Sequence, residues 1–302
     1  MKVFRFLAIC TIGAAFATSS IAWAQSYTSV DFPGAAATEL IGGPNPQGTS
    51  VGAYSLTAGG ALHGFSLTAK GVFKSFDPPG SVSTSPNFIN PQGVIVGSYT
   101  DSGGVSHGFI LSGGNYTTVD YPGAAGTVLS SINPSGEISG SYCATAALCA
   151  FPGTFHSFVI SKKGVFSAGF DPPGATGSET SVVIPSGAIV GAYDTSAEGT
   201  CFNFCQGYLL FHGQYATINY PGSTFTFAGG ANANGNIVGV YFDAVLGVDH
   251  AFLFSGGVYT SFDYPGANFT EATGINPANV IVGVYTTPAD PANVFHGFIR
   301  TP

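Results

Sequence analysis

Charge is the scarcest property of this chain. Only 7% of its 302 residues are Asp, Glu, Lys or Arg, and only seven are Lys or Arg. An ordinary globular protein carries about 25%. Seven basic residues against fifteen acidic ones exclude the positive surface that nucleic acid requires. Beyond the N-terminal segment, no run approaches the roughly 20 apolar residues of a membrane-spanning helix. His-Glu-x-x-His, the phosphate-loop pattern and the calcium-loop pattern are all missing, so no sequence motif points to their chemistries. Gly-x-Ser-x-Gly occurs once, from Gly104 to Gly108. It leads towards a predicted strand, not the strand-to-helix elbow that would expose a nucleophilic serine. What is abundant is glycine (44 residues), proline (19) and aromatics (14%). That mixture excludes a disordered polymer and predicts an apolar, turn-rich β protein.

The N-terminus reads as a secretory signal. Lys2 and Arg5 precede the apolar stretch from Phe6 to Ala17, and Ala22-Trp23-Ala24 forms a small-x-small cleavage site. Cleavage between Ala24 and Gln25 leaves residues 25–302 as a single domain. The expected location is secreted, periplasmic or at the cell surface, with no membrane span. Losing Lys2 and Arg5 leaves five basic residues against fifteen acidic, a net charge of −10. Four cysteines remain: Cys143, Cys149, Cys201 and Cys205. An even count in an exported chain favours disulfides. Three connectivities are open; sequence proximity favours Cys143–Cys149 and Cys201–Cys205. The metal-site alternative lacks a paired Cys-x-x-Cys.

The stretch Val94-Ile95-Val96-Gly97-Ser98-Tyr99 recurs in six versions. Its Gly-x-Tyr core is Gly52/Tyr54, Gly97/Tyr99, Gly140/Tyr142, Gly191/Tyr193, Gly239/Tyr241 and Gly283/Tyr285. Pro-Gly pairs begin at Pro33, Pro79, Pro122, Pro173, Pro221 and Pro265, spaced by 43 to 51 residues. A His-Gly-Phe position reads His63, His107, His156, Gln206, His250 and His296. Each unit predicts four short strands, A to D. Asn-Pro-x-Gly turns, as at Asn45 and Asn90, join A to B and suit a type I turn. Asn279 replaces the glycine in the last copy, consistent with left-handed backbone. Val238/Val240 and Val282/Val284 are apolar on the strand face opposite Gly and Tyr, so strand B must be covered on both sides.

A four-stranded unit of this length, covered on both faces, predicts a propeller blade. A solenoid would need polar caps, and the first and last copies look like the inner ones. The chain starts with a D strand, Tyr27 to Phe32, and finishes after a C strand, His296 to Arg300. The expected fold is therefore an all-β, six-bladed β-propeller whose ring is closed by the N-terminal strand joining the C-terminal blade. The repeats resemble those of the HAF family of extracellular repeat proteins. His250-Ala251-Phe252 is its label motif, and the run from Ile89 to Gly97 is similar to its Ile-Asn-x-x-Gly-x-Ile-Val-Gly. The resemblance spans nearly the whole mature chain. It implies an exported repeat protein and carries over no catalytic residue.

The blade plan sorts the charges. Asp31, Asp77, Asp120, Asp171 and Asp263 end D strands, and each is expected to bond its own turn. The repeated histidines are expected to be hydrogen-bonding wedges, and the Gly-x-Tyr tyrosines inter-blade core. Asp101, Asp194, Asp243 and Asp249 lie in or beside B–C loops on the same face. The innermost strands carry Glu39, Glu179 and Glu271, which could converge at the channel mouth. Converging carboxylates suit a Ca²⁺ ion, a hard cation taking oxygen ligands, or an acid–base pair acting on a glycan. These seven carboxylates are the ligand- or ion-binding candidates. The leading expectation is an exported, non-enzymatic propeller binding a protein partner or glycan through its acidic loop face. The alternative is a secreted carbohydrate-active hydrolase or lyase with its carboxylates at the channel mouth.

Overall fold

A computed structural model describes residues 25–149, 154–196 and 205–302. The signal segment, Cys201 and the central parts of the two longest B–C loops lie outside the described residues. The described chain is all-β apart from one four-residue helical turn, α1 (Ala146–Cys149). None of its helices is long and apolar enough to cross a membrane.

The strands fall into units of up-and-down antiparallel sheet. The first is β2 (Ala37–Gly42), β3 (Ser50–Ser55), β4 (His63–Leu67) and β5 (Phe73–Phe76). The second is β6 (Ser81–Ile89), β7 (Ile95–Asp101), β8 (Ser106–Ser112) and β9 (Asn115–Val119). The third contains β10 (Gly126–Ile132), β11 (Ile138–Cys143) and β12 (His156–Ile160). The fourth is β13 (Gly177–Val183), β14 (Ile189–Asp194), β15 (Cys205–Phe211) and β16 (Gln214–Ile218). The fifth is β17 (Thr226–Ala231), β18 (Ile237–Asp243), β19 (Val248–Ser255) and β20 (Val258–Phe262). The sixth is β21 (Phe269–Ile275), β22 (Ile281–Thr286) and β23 (His296–Thr301). Its fourth strand is β1 (Ser26–Val30), antiparallel to β23 from Ser26↔Thr301 to Val30↔Gly297. Each unit packs on the next, and β2 packs on β22 and β23.

The turns explain the punctuation. Gly48, Gly93, Gly136, Gly187 and Gly235 all close A–B turns at φ of 76–87°, and Asn279 takes that place at 59°. Asn is the side chain that best tolerates this left-handed backbone. Asn45, Asn90, Asn133, Asn232 and Asn276 each cap their own turn, accepting from the backbone N–H two and four residues on.

The core is one aromatic per unit. Phe65, Phe109, Phe158, Tyr208, Phe252 and Phe298 are at most 1% exposed. Burying such a side chain contributes about 1.5–3 kcal/mol. A methyl group at any Gly of the Gly-x-Tyr pairs would collide with this ring and with the A-strand carbonyl opposite. The glycine is there because the two backbones and the ring meet where a side chain would stand. The tyrosine joins units. Tyr54, Tyr142, Tyr241 and Tyr285 stack on Phe32, Tyr121, Tyr220 and Tyr264, which end the preceding D segment, at centroid distances of 3.5–3.9 Å. In the second and fourth units Pro78 and Pro172 hold that place, so Tyr99 and Tyr193 have no such ring to stack on.

Two expectations need correction. The third unit does not form a regular fourth strand. In the second unit, Gly108 and Leu111 pair with Val119 and Tyr116. The equivalent bridges in the third are Ser157↔Phe170 and Ile160↔Phe166, with one extra residue between them. That residue breaks the ladder. The D-strand aspartates also do not cap their own turns, which close through backbone bonds such as Ala35 N–H to Phe32 C=O. They instead hold the histidines: Nδ1 of His63, His107, His156, His250 and His296 lies 2.6–3.0 Å from Asp77, Asp120, Asp171, Asp263 and Asp31. The histidines are thus the hydrogen-bonding elements expected, with different partners for the aspartates. The fourth unit substitutes both members, as Gln206 and Asn219. Paired replacement within one unit was the signal for this contact in the sequence.

Candidate functional site

The inner strands position the candidate carboxylates. Glu39, Ser85, Val128, Glu179, Phe227 and Glu271 occupy one register level. Each pairs with the residue just after the glycine of its Gly-x-Tyr strand: Ala53, Ser98, Ser141, Ala192, Val240 and Val284. Two residues further on, every inner strand carries a β-bulge. The extra residue is Ile41, Asn87, Ser130, Ser181, Gly229 or Thr273. A bulge leaves one residue unpaired and re-aims its side chain. Here it doubles the inner lining and links units. Asn87 Nδ2 donates to Leu129 C=O at 2.9 Å, and Thr273 Oγ1 to Leu40 C=O at 2.8 Å.

These levels line an open cavity of about 270 Å³. Glu179 and Glu271 line it, with Phe227 and Val128 at their level and the bulge residues below. No hydrogen-bond donor reaches either carboxylate among the described residues, and no Lys, Arg or His lines the wall. Both side chains are partly exposed and border the cavity. Burial raises the pKa of Glu179 and of Glu39. Glu271 is pushed up to about 7, first by burial and then by the negative charges of Glu39 and Asp249. Burial also raises Asp249, partly offset by His250. Of the three predicted glutamates, Glu271 lies close enough to Glu39, in the first unit, to feel its charge. The structure places Glu271 and Glu179 on one cavity wall, two units apart. Asp249 joins the Glu271 group, carried there by the bridge Asp249↔Phe269 between the fifth and sixth sheets.

The other loop acids are not brought into this site. Asp101 Oδ1 accepts from the N–H of Gly103 and Val105, which lowers its pKa. Asp194 is buried and accepts from Ser196. Asp243 accepts from the N–H of Val245 and Leu246. Each shapes its own loop. Among the described residues, no group of three or more His, Cys, Asp or Glu is arranged to hold a metal ion. Cys143 and Cys149 form a disulfide. Cys205 is disulfide-bonded as well, and its expected partner Cys201 is outside the described residues.

Phe88 is the residue that sequence reading missed. It lines both this cavity and a second, apolar one of about 100 Å³ beneath it. The lower cavity is walled by the A–B turns, including Pro46, Pro91, Pro134, Pro185 and Pro277. Phe88 packs against the core containing Leu129 and Ile132 and also against that containing Val182 and Ala231. One ring from the second unit therefore spans to the fourth and fifth. In sequence, Phe88 is simply the apolar residue before Ile89. The bulge at Asn87 lies directly before it.

No family model matches this chain, and no curated protein matches it in sequence. Among solved structures it is similar to the β-propeller domain of the Trilobed protease from Pyrococcus furiosus, at 10% identity and a TM-score of 0.47, over 87% of this chain and 95% of that one. It is also similar to a lectin from Aleuria aurantia, at 10% identity and TM-score 0.49, over 83% and 88%. A gluconolactonase from Xanthomonas campestris gives 12% identity and TM-score 0.48, over 88% and 87%.

Proposed function

We propose that this protein is an exported, closed six-bladed propeller that binds a glycan in its axial cavity, entered from the acidic loop face, without chemical turnover. Several observations support the ring. Six matching units each pack on the next, and the first packs on the sixth. The N-terminal strand fastens to the last unit through Ser26 Oγ to Thr301 Oγ1 at 2.6 Å, Ser29 Oγ to Tyr285 OH at 2.9 Å, and the Asp31–His296 pair. The signal-like N-terminus and the Cys143–Cys149 disulfide fit an oxidising compartment.

The observation carrying the ligand reading is the cavity. Its two carboxylates have no protein donor. Phe227 lines it at the same level, and Phe88 lines both it and the apolar cavity beneath. Sugars present both hydroxyl donors and an apolar C–H face, and a concave wall with a few polar groups suits such a ligand. The test is binding of the purified protein to a panel of polysaccharides, with Phe227→Ala as control. Retention that survives Phe227→Ala and Glu179→Gln unchanged would place the binding elsewhere.

Hydrolysis is a second reading, favoured by one observation. Glu271 with a pKa near 7 matches what a general acid needs at neutral pH. It requires turnover of a glycan that Glu271→Gln abolishes while binding persists.

A further inference from the structure

We infer that the end of the molecule bearing the A–B and C–D turns docks on an anionic lipid surface. Lys70, Lys74, Lys162 and Lys163 meet the headgroups, and Val72 and Val165 sink between them. This end lies opposite the acidic loops, and its docking does not depend on the glycan reading.

Charge is sorted between the two ends. The A–B turns converge around the lower apolar cavity, and the C–D turns flank them. Ala69 of one C–D turn stands against Gly48 of an A–B turn, and Ser255 Oγ of another donates to Asn236 Oδ1 at 2.8 Å. Among the acids of the described residues, only Glu137 adjoins one of these turns, and it accepts from Asn133 Nδ2 within its own turn. Beyond the signal segment the chain has four lysines, and all four are at this end and exposed. None is ion-paired: every ion pair among the described residues joins a histidine to an aspartate. Arg300, the remaining cation, is buried over the Phe262 ring.

Two matching turns present the lysines. The C–D turns of the second, fourth and fifth units are short: Gly113-Gly114, His212-Gly213 and Gly256-Gly257. Those of the first and third are longer, Thr68 to Val72 and Ser161 to Val165. Both are built alike. The hydroxyl of Thr68 or Ser161 accepts from the N–H of Val72 or Val165, at 3.2 Å in each, and Gly71 or Gly164 takes a φ of 77°. The tip is Lys-Gly-Val in both, with Val72 58% and Val165 64% exposed. Val258 and Phe211 are exposed beside the C–D turns of the fifth and fourth units. Apolar tips beside lysines on one face complement a bilayer surface, where anionic headgroups cover acyl chains. A soluble polyanion would use the lysines and gain nothing from the valines. The acids at the other end are repelled by the same surface, which turns the loop face outward.

The test floats the mature protein, residues 25–302, with vesicles of phosphatidylcholine, with and without phosphatidylglycerol. Binding should require phosphatidylglycerol and fall as salt rises. Lys70→Gln, Lys74→Gln, Lys162→Gln and Lys163→Gln should each weaken it by about fivefold, and together abolish it. Val72→Ser combined with Val165→Ser should weaken it by about tenfold with every lysine intact. Trp23 is the only tryptophan and lies in the signal segment, so one introduced tryptophan gives a second readout should a combined variant fail to fold. Emission from Val165→Trp should shift to the blue on phosphatidylglycerol vesicles. Emission from Val245→Trp, at a 93% exposed position on a B–C loop, should not. A shift at position 245 with none at 165 overturns the inference, and so does failure to bind either vesicle. Binding that is lost with the lysines but untouched by both valine changes also overturns it, in favour of a soluble polyanion.

Discussion

Replacing Glu271 by Gln should stabilise this protein, and only above a defined pH. The carboxyl is held at about 7 against an ordinary 4.5. At ~1.4 kcal/mol per pKa unit the ionised form costs about 3 kcal/mol, and solvent in the cavity reduces this to about 2 kcal/mol. The direction follows from proton counting. Between 4.5 and about 7 the folded chain keeps a proton that the unfolded chain has lost, so stability falls as pH rises through that window. Below it both states are protonated and Glu271 contributes nothing. Glutamine is nearly isosteric and cannot ionise. The variant should match the wild type at pH 4 and exceed it at pH 8, where about 2 kcal/mol corresponds to roughly 4–8 °C in Tm for a chain of this size. Thermal melts at pH 4, 6 and 8 read the difference directly. A gain that is the same at all three values would refute the burial argument, because it would not track ionisation. So would a loss at pH 8, which would mean the carboxylate is paired in the folded state.

Three further outcomes are expected. Gly283→Ala should lower stability by about 3 kcal/mol or more in urea unfolding, because a methyl group there meets Glu271 C=O and the Phe298 ring; a change within 0.5 kcal/mol would contradict the packing described. Replacing Cys143 and Cys149 by Ser should cost about 2 kcal/mol, the chain-entropy value for so short a loop, measured against wild type with and without reductant. Removing residues 25–31 takes away β1 and the Asp31 partner of His296; the truncated chain should lose its single cooperative transition and regain it when a peptide of those residues is added, whereas an unchanged melt would argue against closure through β1.

The candidate site was legible in part. Glu39, Glu179 and Glu271 stand out in sequence because charge is rare and all three sit at the same place in the repeat. That Glu271 feels the charge of Glu39 follows from order once the ring is assumed, since the sixth unit adjoins the first. Asp249 was visible only as a loop acid among others. Its approach to Glu271 depends on a bridge between two sheets. Asp101, Asp194 and Asp243 looked equivalent to it. What separates them is whether a backbone N–H lies within reach, which no composition reveals.

The repeat by itself determined the strand order, the turns and the aromatic core. Those rest on local rules: alternation along a strand, left-handed backbone at glycine or Asn279, and a glycine wherever a ring needs its space. The paired substitution of Gln206 and Asn219 even encoded the His–Asp contact. Only the tertiary structure decided the site. A bulge is one residue too many on one strand relative to its partner, so it exists only once the pairing is known. In the second unit that extra residue is Asn87, which bonds Leu129 C=O across to the third unit, and Phe88 beside it lines the cavity that Glu179 and Glu271 share without a protein donor.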